Sequence, residues 1–427
     1  MTRLIKLTLL AAMLMPFAAA DGQTLSLDEY RRRVLSYSQQ MAISQERMLA
    51  ADEAVKVART GHKPRIDAAA DFNYMVRRLT LDRGTSVTPL HRESWGIDAT
   101  ASQTLYAGGA VRKQVEAARI GSEQARYDAM LTEDNVIYAA EVGYWSMATA
   151  TAYRDAAVRY LDIIKETYSV ISSRFEDGMI SKNDLLMIET RLGEAKLHMS
   201  NAQTGYRQAL ISLNTLMGLP VDTPTVISDS INAPLPPMPS ALSFDEALAS
   251  RPDYLLAESD VRLGHARLET TRSQYLPSLS VGFTGRYATG TSNVTGKGFA
   301  NGIAFAGLKV PIFNWNERKH KSAIDKSTIR MSQERLSQTA DQINQSMHDA
   351  YTRMSASYSE LETAWQSVRV AEESLSLSTF SYNAGLLSIL DVLSAQLSWL
   401  SAYNNLVATN YNCRVAIADY MMATGHL

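Results

Sequence analysis

The sequence contains a single cysteine, Cys413, in 427 residues. A disulfide framework is therefore excluded. Cys413 also lies far from the N-terminus, which excludes a lipid-bearing cysteine there. Past the N-terminal segment no run approaches about 18 apolar residues, so no helix is expected to cross a membrane. Opposite charges nearly cancel, leaving a formal net charge of −2. That gives no basic footprint for nucleic acid and no acidic tail. Histidine is sparse: His62, His91, His198, His265, His320, His348 and His426. None has HExxH spacing, and none has a cysteine or carboxylate at metal-ligand spacing. No catalytic, cofactor-binding or metal residue is assigned, and an enzyme is not expected. The Gly296/Gly298/Gly302 cluster has the wrong spacing for a phosphate loop, and no helix follows it.

Proline is missing where it would matter most. None occurs between Pro89 and Pro220, and none after Pro311. Proline breaks helix interiors, so each tract is free to form one very long helix. The first is expected to reach Glu176 over about 68 residues, roughly 100 Å at about 1.5 Å per residue. Between the tracts lies a Pro-rich connector, residues 219–240. The N-terminus, residues 1–20, reads as a secretory signal peptide. Arg3 and Lys6 precede an apolar run from Leu7 to Phe17, and Ala18–Ala20 supplies a cleavage site. The mature chain is thus expected to leave the cytoplasm.

What the chain does contain is a duplication. Residues 21–218 and 241–427 share their landmarks in the same order. "LSLDE" from Leu25 answers "LSFDE" from Leu242, and Pro64 answers Pro277. Leu105-Tyr106 answers Ile312-Phe313, and "NTLMG" ending at Gly218 answers "YMMATG" ending at Gly425. The most specific pair is "RFEDGMISKNDLLMIETRL" (Arg174–Leu192) and "SYNAGLLSILDVLSAQLSW" (Ser381–Trp399). In each, an aromatic is followed at steps of three by Gly, Ser and Asp, then by a hydrophobic run. Five ordered anchors make an internal repeat. Each half reads helix, two strands, long helix, elbow, shorter helix, with strands near 65–77, 94–106, 278–287 and 303–313. The elbows fall near 174–184 and 381–391.

The helix after the first elbow carries a seam of alternating three- and four-residue steps, from Leu185 through Ile188, Leu192 and Ala195 to Leu216. The helix after the second carries two seams, Leu386–Leu390–Leu393–Leu397–Leu400 and Val392–Ala395–Trp399–Ala402–Leu406, which calls for two neighbours. The strands alternate: Ile66, Ala68, Ala70, Phe72 and Tyr74 against Asp67, Asp71 and Asn73; Leu279, Val281, Phe283 and Tyr287 against Ser280, Thr284 and Arg286. Near Ile303–Ile312 the phase is ambiguous. Alternation suits a half-buried soluble sheet or a membrane sheet. Helices of about 100 Å offer no compact core for a sheet, and Tyr106, Tyr287, Phe313 and Trp315 cluster at strand ends like an interfacial belt. Four strands cannot close a barrel. Two chains would give eight strands and a filled interior; three would give twelve and a lumen. The rival reading, a secreted or periplasmic coiled-coil scaffold without a pore, explains the signal and the seams but not the paired strands.

Duplication, paired strands, long helices and two such elbows resemble the TolC family of outer membrane efflux and secretion channels, over essentially the whole mature chain. The fold implied is mixed α and transmembrane β. Each protomer would supply four strands and long coiled-coil helices, and a homotrimer would form one 12-stranded β-barrel continued by an α-helical barrel. The implied site is the outer membrane of a Gram-negative bacterium, in contact with its lipid. The implied function is a passive exit duct fed by a periplasmic membrane-fusion adaptor and an inner-membrane pump of the RND, ABC or MFS type. By position, Phe175, Gly178, Ser181, Tyr382, Gly385 and Ser388 would form the tip turns and meet the adaptor. Asp184, Leu387, Leu390, Asp391 and Ser394 would form the gate. In the family the first-repeat acid bonds the second-repeat tyrosine, here Asp184 with Tyr382, and the second acid lines the pore, here Asp391. Both acids also suit a helix N-terminus on electrostatic grounds alone. The chain departs from the family pattern at Ser394, where a second acid is usual, and at Leu387, where a base is usual.

Overall fold

The computed structural model describes residues 24–82, 84–289 and 293–426; the signal-peptide assignment lies outside them. The described chain forms α1 (Leu27–Tyr37), α2 (Gln39–Thr60), β1 (Arg65–Tyr74), β2 (Thr80–Asp82), β3 (Val87–Pro89), β4 (Glu93–Ala107), α3 (Ala110–Glu176) and α4 (Lys182–Met217). The second half gives α5 (Phe244–Ser250), α6 (Pro252–Ser273), β5 (Ser278–Ala288), β6 (Phe299–Lys309), α7 (Glu317–Asn383) and α8 (Ile389–Thr424). Each proline-free tract holds one long continuous helix and, after the elbow, a shorter one, and the repeats match in length: α3 and α7 each hold 67 residues, α4 and α8 each 36. No described helix is long and apolar enough to cross a membrane.

The opening helix of each repeat is broken, which the sequence pattern did not suggest. In the first, Ser38 leaves the helix at φ −56°, ψ 118°, and its Oγ accepts from Met41 N at 3.4 Å to start α2. In the second, Arg251 is extended because Pro252 follows it at the first helical position. The chain divides into two compact units. One takes residues up to Met41, Thr132–Ser250 and Asn344 onward; the other takes Ala42–Leu131 and Arg251–Ile343.

The second unit holds an antiparallel four-stranded sheet in the order β1-β4-β5-β6. Register assigns its faces. Phe72 lies opposite Trp95, and Ile97 opposite Tyr287, on one face. On the other, Asp71 lies opposite Gly96 and Asp98 opposite Arg286. Gly96 has a spatial reason. A Cβ there would fall 2.8 Å from Arg286 Nη2 and 2.9 Å from Asp71 Oδ1, the two ends of an ion pair of 2.9 Å that crosses β4. The strand expected near 303–313 instead runs Phe299–Lys309 and stops before Pro311, which has no N–H to donate. Its phase is now fixed. Ile303 lies opposite Thr284 and Phe305 opposite Gly282, so both sit on the polar face, while Ala304 and Ala306 share the face of Phe283 and Val281. The β1–β4 connection, which read as a loop, contains the β2–β3 hairpin, closed by Gly84 N donating to Asp82 Oδ1 at 2.8 Å.

The first unit packs two cores. One gathers Tyr30, Val34, Ala140, Tyr144, Trp145, Met147, Leu213 and Val407. The connector is pinned against this unit. Leu25 pairs with Ile227, and Asn214 Nδ2 donates to the carbonyls of Val221 and Thr223 at 3.2 and 2.8 Å. Arg414 Nη2 donates to Ala233 O at 2.8 Å while its guanidinium lies 3.7 Å from the Trp145 ring centre. Desolvation pushes the Arg414 pKa down from its usual value.

Next to it, Cys413 is wholly buried, and burial pushes its thiol up to about 11. At pH 8 the folded protein should therefore resist a maleimide. Mass spectrometry is expected to show one added label only after denaturation; rapid labelling of native protein would contradict this packing.

Candidate functional site

The two elbows lie in the first unit and are built alike. Each long helix ends on a glycine with positive φ, 69° at Gly178 and 76° at Gly385. At the first, Gly178 N bonds Phe175 O at 3.0 Å and Met179 N bonds Arg174 O at 2.9 Å. At the second, Gly385 N bonds Tyr382 O at 3.0 Å and Leu386 N bonds Ser381 O at 2.8 Å. These bonds satisfy carbonyls that a helix end would otherwise strand. Nothing lies within 4 Å of a Cβ at either glycine, so backbone conformation alone, not space, demands glycine.

Three residues on, a serine starts the returning helix. Ser181 N and Oγ donate to Asp184 Oδ2 at 3.3 and 2.9 Å, and Asp184 N donates back to Ser181 Oγ at 3.2 Å. Ser388 N and Oγ donate to Asp391 Oδ2 at 3.1 and 2.7 Å. Both carboxylates thus turn onto their own helix start, a capping box in which the acid also meets the positive end of the helix dipole. Asp184 Oδ2 is thus turned onto its own helix start.

Tyr382 has another neighbour. The Arg174 guanidinium, from the last turn of α3, lies 4.9 Å from the Tyr382 ring centre at the last turn of α7. This cation–π contact joins the two elbows. Sequence reading passed over Arg174. The available signal was its place beside Phe175 at the end of a helix, where a cation is also favoured. Beneath the elbows, Ile171, Ile188, Ile389, Val392, Leu393, Trp399 and Leu400 form a buried core that Tyr382 and Leu185 flank. Gln396, also buried, donates to Thr167 Oγ1 at 2.9 Å and ties α8 to α3.

The gate candidates divide by exposure. Leu387, Leu390, Asp391 and Ser394 are exposed, as is Leu386 at 75%. Asp184 and Phe175 are half-buried. The two seams of α8 part company. Val392, Ala395, Trp399 and Leu406 are buried inside the chain, and so are Leu393 and Leu400 of the other seam, whereas its Leu386, Leu390 and Leu397 are exposed. Those three exposed leucines leave an apolar edge beside the buried seam.

A family model described as "Outer membrane efflux protein" matches residues 31–219 and 244–426. Protein CyaE of Bordetella pertussis is 24% identical over 335 residues, spanning 77% of this chain and 70% of CyaE. The outer membrane efflux protein BepC of Brucella suis is 21% identical over 379 residues, 88% of this chain and 80% of BepC. The solved structure of the Campylobacter jejuni CmeC outer membrane channel superposes with a TM-score of 0.81 at 18% identity, covering 94% of this chain and 85% of that one.

Gly178→Ala and Gly385→Ala should each destabilise the fold by about 1–2 kcal/mol per chain, the cost of a Cβ in the left-handed region. Asn at either site should cost less. Thermal unfolding followed by circular dichroism reads the difference; an unchanged midpoint for both alanine variants would refute the backbone argument.

Proposed function

The chain belongs to the outer membrane efflux protein family, and from that membership we infer that it works as an outer membrane channel, a passive exit duct for cargo handed over in the periplasm. One observation carries the reading further, to the assembly. Among the described residues the apolar face of the four-stranded sheet is uncovered, with Ile66, Phe72, Ile97, Phe283 and Leu308 all exposed, and β1 and β6 are its open edges. Lipid accepts the apolar face but not the edges. Pairing β6 of one copy with β1 of the next satisfies both, and three copies give twelve strands around a water-filled lumen lined by the polar face.

The elbows would then ring the periplasmic mouth. Phe175, Gly178, Ser181, Tyr382, Gly385 and Ser388 form the turns offered to a membrane-fusion adaptor. Leu387, Leu390, Asp391 and Ser394 line the constriction, with Asp184 behind them. The exposed leucines around the start of α8, Leu386, Leu390 and Leu397, supply the apolar contact between copies at the closed tip. Arg174 on Tyr382 holds the first and second elbows of one chain together, the part that an Asp184–Tyr382 bond plays in the family. The partner pump supplies the energy.

Planar-bilayer recording tests this. Purified protein that migrates as a heat-sensitive trimer should show small, mostly closed conductance. Arg174→Ala removes about 1 kcal/mol of closed-state contact, raising the open fraction about fivefold. If neither the parent nor this variant conducts, the duct reading fails.

A further inference from the structure

The sheet has a chemically distinct far end. α2, α3, α6 and α7 all attach where β1 begins, β4 ends, β5 begins and β6 ends. The opposite end carries the connections 75–92 and 289–298. They are knit together: His91 N donates to Asn293 O at 2.8 Å, Asn293 Nδ2 donates to Glu93 O at 2.5 Å, and Gly296 N donates to Asn293 Oδ1 at 2.8 Å. Asn293 itself is buried. This is a built surface with a strong charge bias. Among the described residues of the rim, Arg77, Arg78, Arg92 and Lys297 are exposed cations. They face two carboxylates, Asp82 and Glu93, and Asp82 is turned onto Gly84 N. None of the four cations forms an ion pair among the described residues. The chain as a whole carries a slight excess of acid.

Position sharpens the chemistry. Tyr74 ends β1 on the apolar face, two residues from Phe72, and the Trp95 and Tyr287 rings sit 5.5 Å apart on that same face. Such aromatics mark the headgroup level of a membrane barrel. Arg92 Nη1 donates to Tyr74 Oη at 3.3 Å, which holds a guanidinium at that level on the lipid side. Glu93 lies opposite Tyr74 in register and lowers the local charge without cancelling it. A guanidinium fork matches phosphate oxygens in geometry and in charge.

We propose that the rim formed by Arg77, Arg92 and Lys297 binds the phosphates of a phosphorylated glycolipid in the outward leaflet. The proposal rests on the channel reading, which sets the helices in the periplasm and so turns this rim outward, where the leaflet is phosphorylated glycolipid. Three copies would present a closed cationic collar that anchors the barrel at a fixed depth.

Native mass spectrometry of the detergent-solubilised protein tests it, with lipid A and phosphatidylglycerol as probes. The parent should retain lipid A in preference to phosphatidylglycerol. The variant Arg77→Gln/Arg92→Gln/Lys297→Gln should lower retained lipid A by about tenfold or more. It keeps Arg78, whose Nε donates to Leu90 O at 3.2 Å within the loops. Equal retention of the two lipids by the parent, or unchanged lipid A on the variant, overturns the proposal. Trimer migration and bilayer conductance of both proteins are read in parallel. If these are intact while lipid preference is absent, only the collar falls; if the parent neither trimerises nor conducts, the channel reading falls with it.

Discussion

An unpaired strand edge cannot stand in hydrocarbon, where each lost hydrogen bond goes uncompensated. That constraint organises the molecule. Among the described residues the sheet has four strands and two open edges, which on the proposed channel reading call for a second copy. On that proposed reading, oligomerisation is part of folding in the membrane rather than an addition to a finished subunit. The duplication serves the same constraint. Each half contributes one antiparallel pair to the sheet, and β4 joins β5 across the repeat boundary by direct pairing. The two pairs thereby become one continuous four-stranded sheet segment.

Equal repeats do not make equal elbows. The backbone solution is shared: a positive-φ glycine, then a serine and an aspartate closing the next helix start. The side chains around it differ. Lys182 and Asn183 follow the first serine, whereas Leu386 and Leu387 precede the second and Leu390 follows it. Duplication fixed the turn, and divergence then assigned a polar elbow and an apolar one. A closing constriction needs an apolar seam against its neighbours, while the turn outside it needs solvated groups.

Much of the helical architecture was legible because absence is unambiguous. A 67-residue helix cannot contain proline, and each proline-free tract supplies one such helix. Seam spacing on α4 and α8 translated into burial at Ile188, Ala195, Leu213, Val392 and Trp399. What escaped the sequence was whatever depends on a partner distant along the chain. The phase of β6 could not be read because Phe299, Ile303 and Phe305 put apolar side chains on the polar face. Gly282 makes room for Phe305, since a Cβ there would lie 2.4 Å from its Cζ. Arg174 was invisible because its partner, Tyr382, lies in the other repeat. Asp184 could be read as a cap or as a lock, and its Oδ2 meets the donors of its own helix start.

The connector shows the same logic in reverse. From composition, residues 219–240 read as a Pro-rich link between repeats. Such a segment lacks the hydrogen bonds of helix or sheet, so its carbonyls need partners from elsewhere. The neighbouring helices α4, α7 and α8 supply them through Asn214, Tyr358 and Arg414, which reach the carbonyls of Val221, Thr223, Pro236 and Ala233. Asn410 adds a side-chain contact to Asn232, whose amide also meets Tyr403. Burying these polar groups is costly unless each is satisfied. The cost is accepted because directional bonds hold one chain path, where an apolar contact would tolerate several. The repeats are therefore joined by a strap held to the helices at several of its carbonyls.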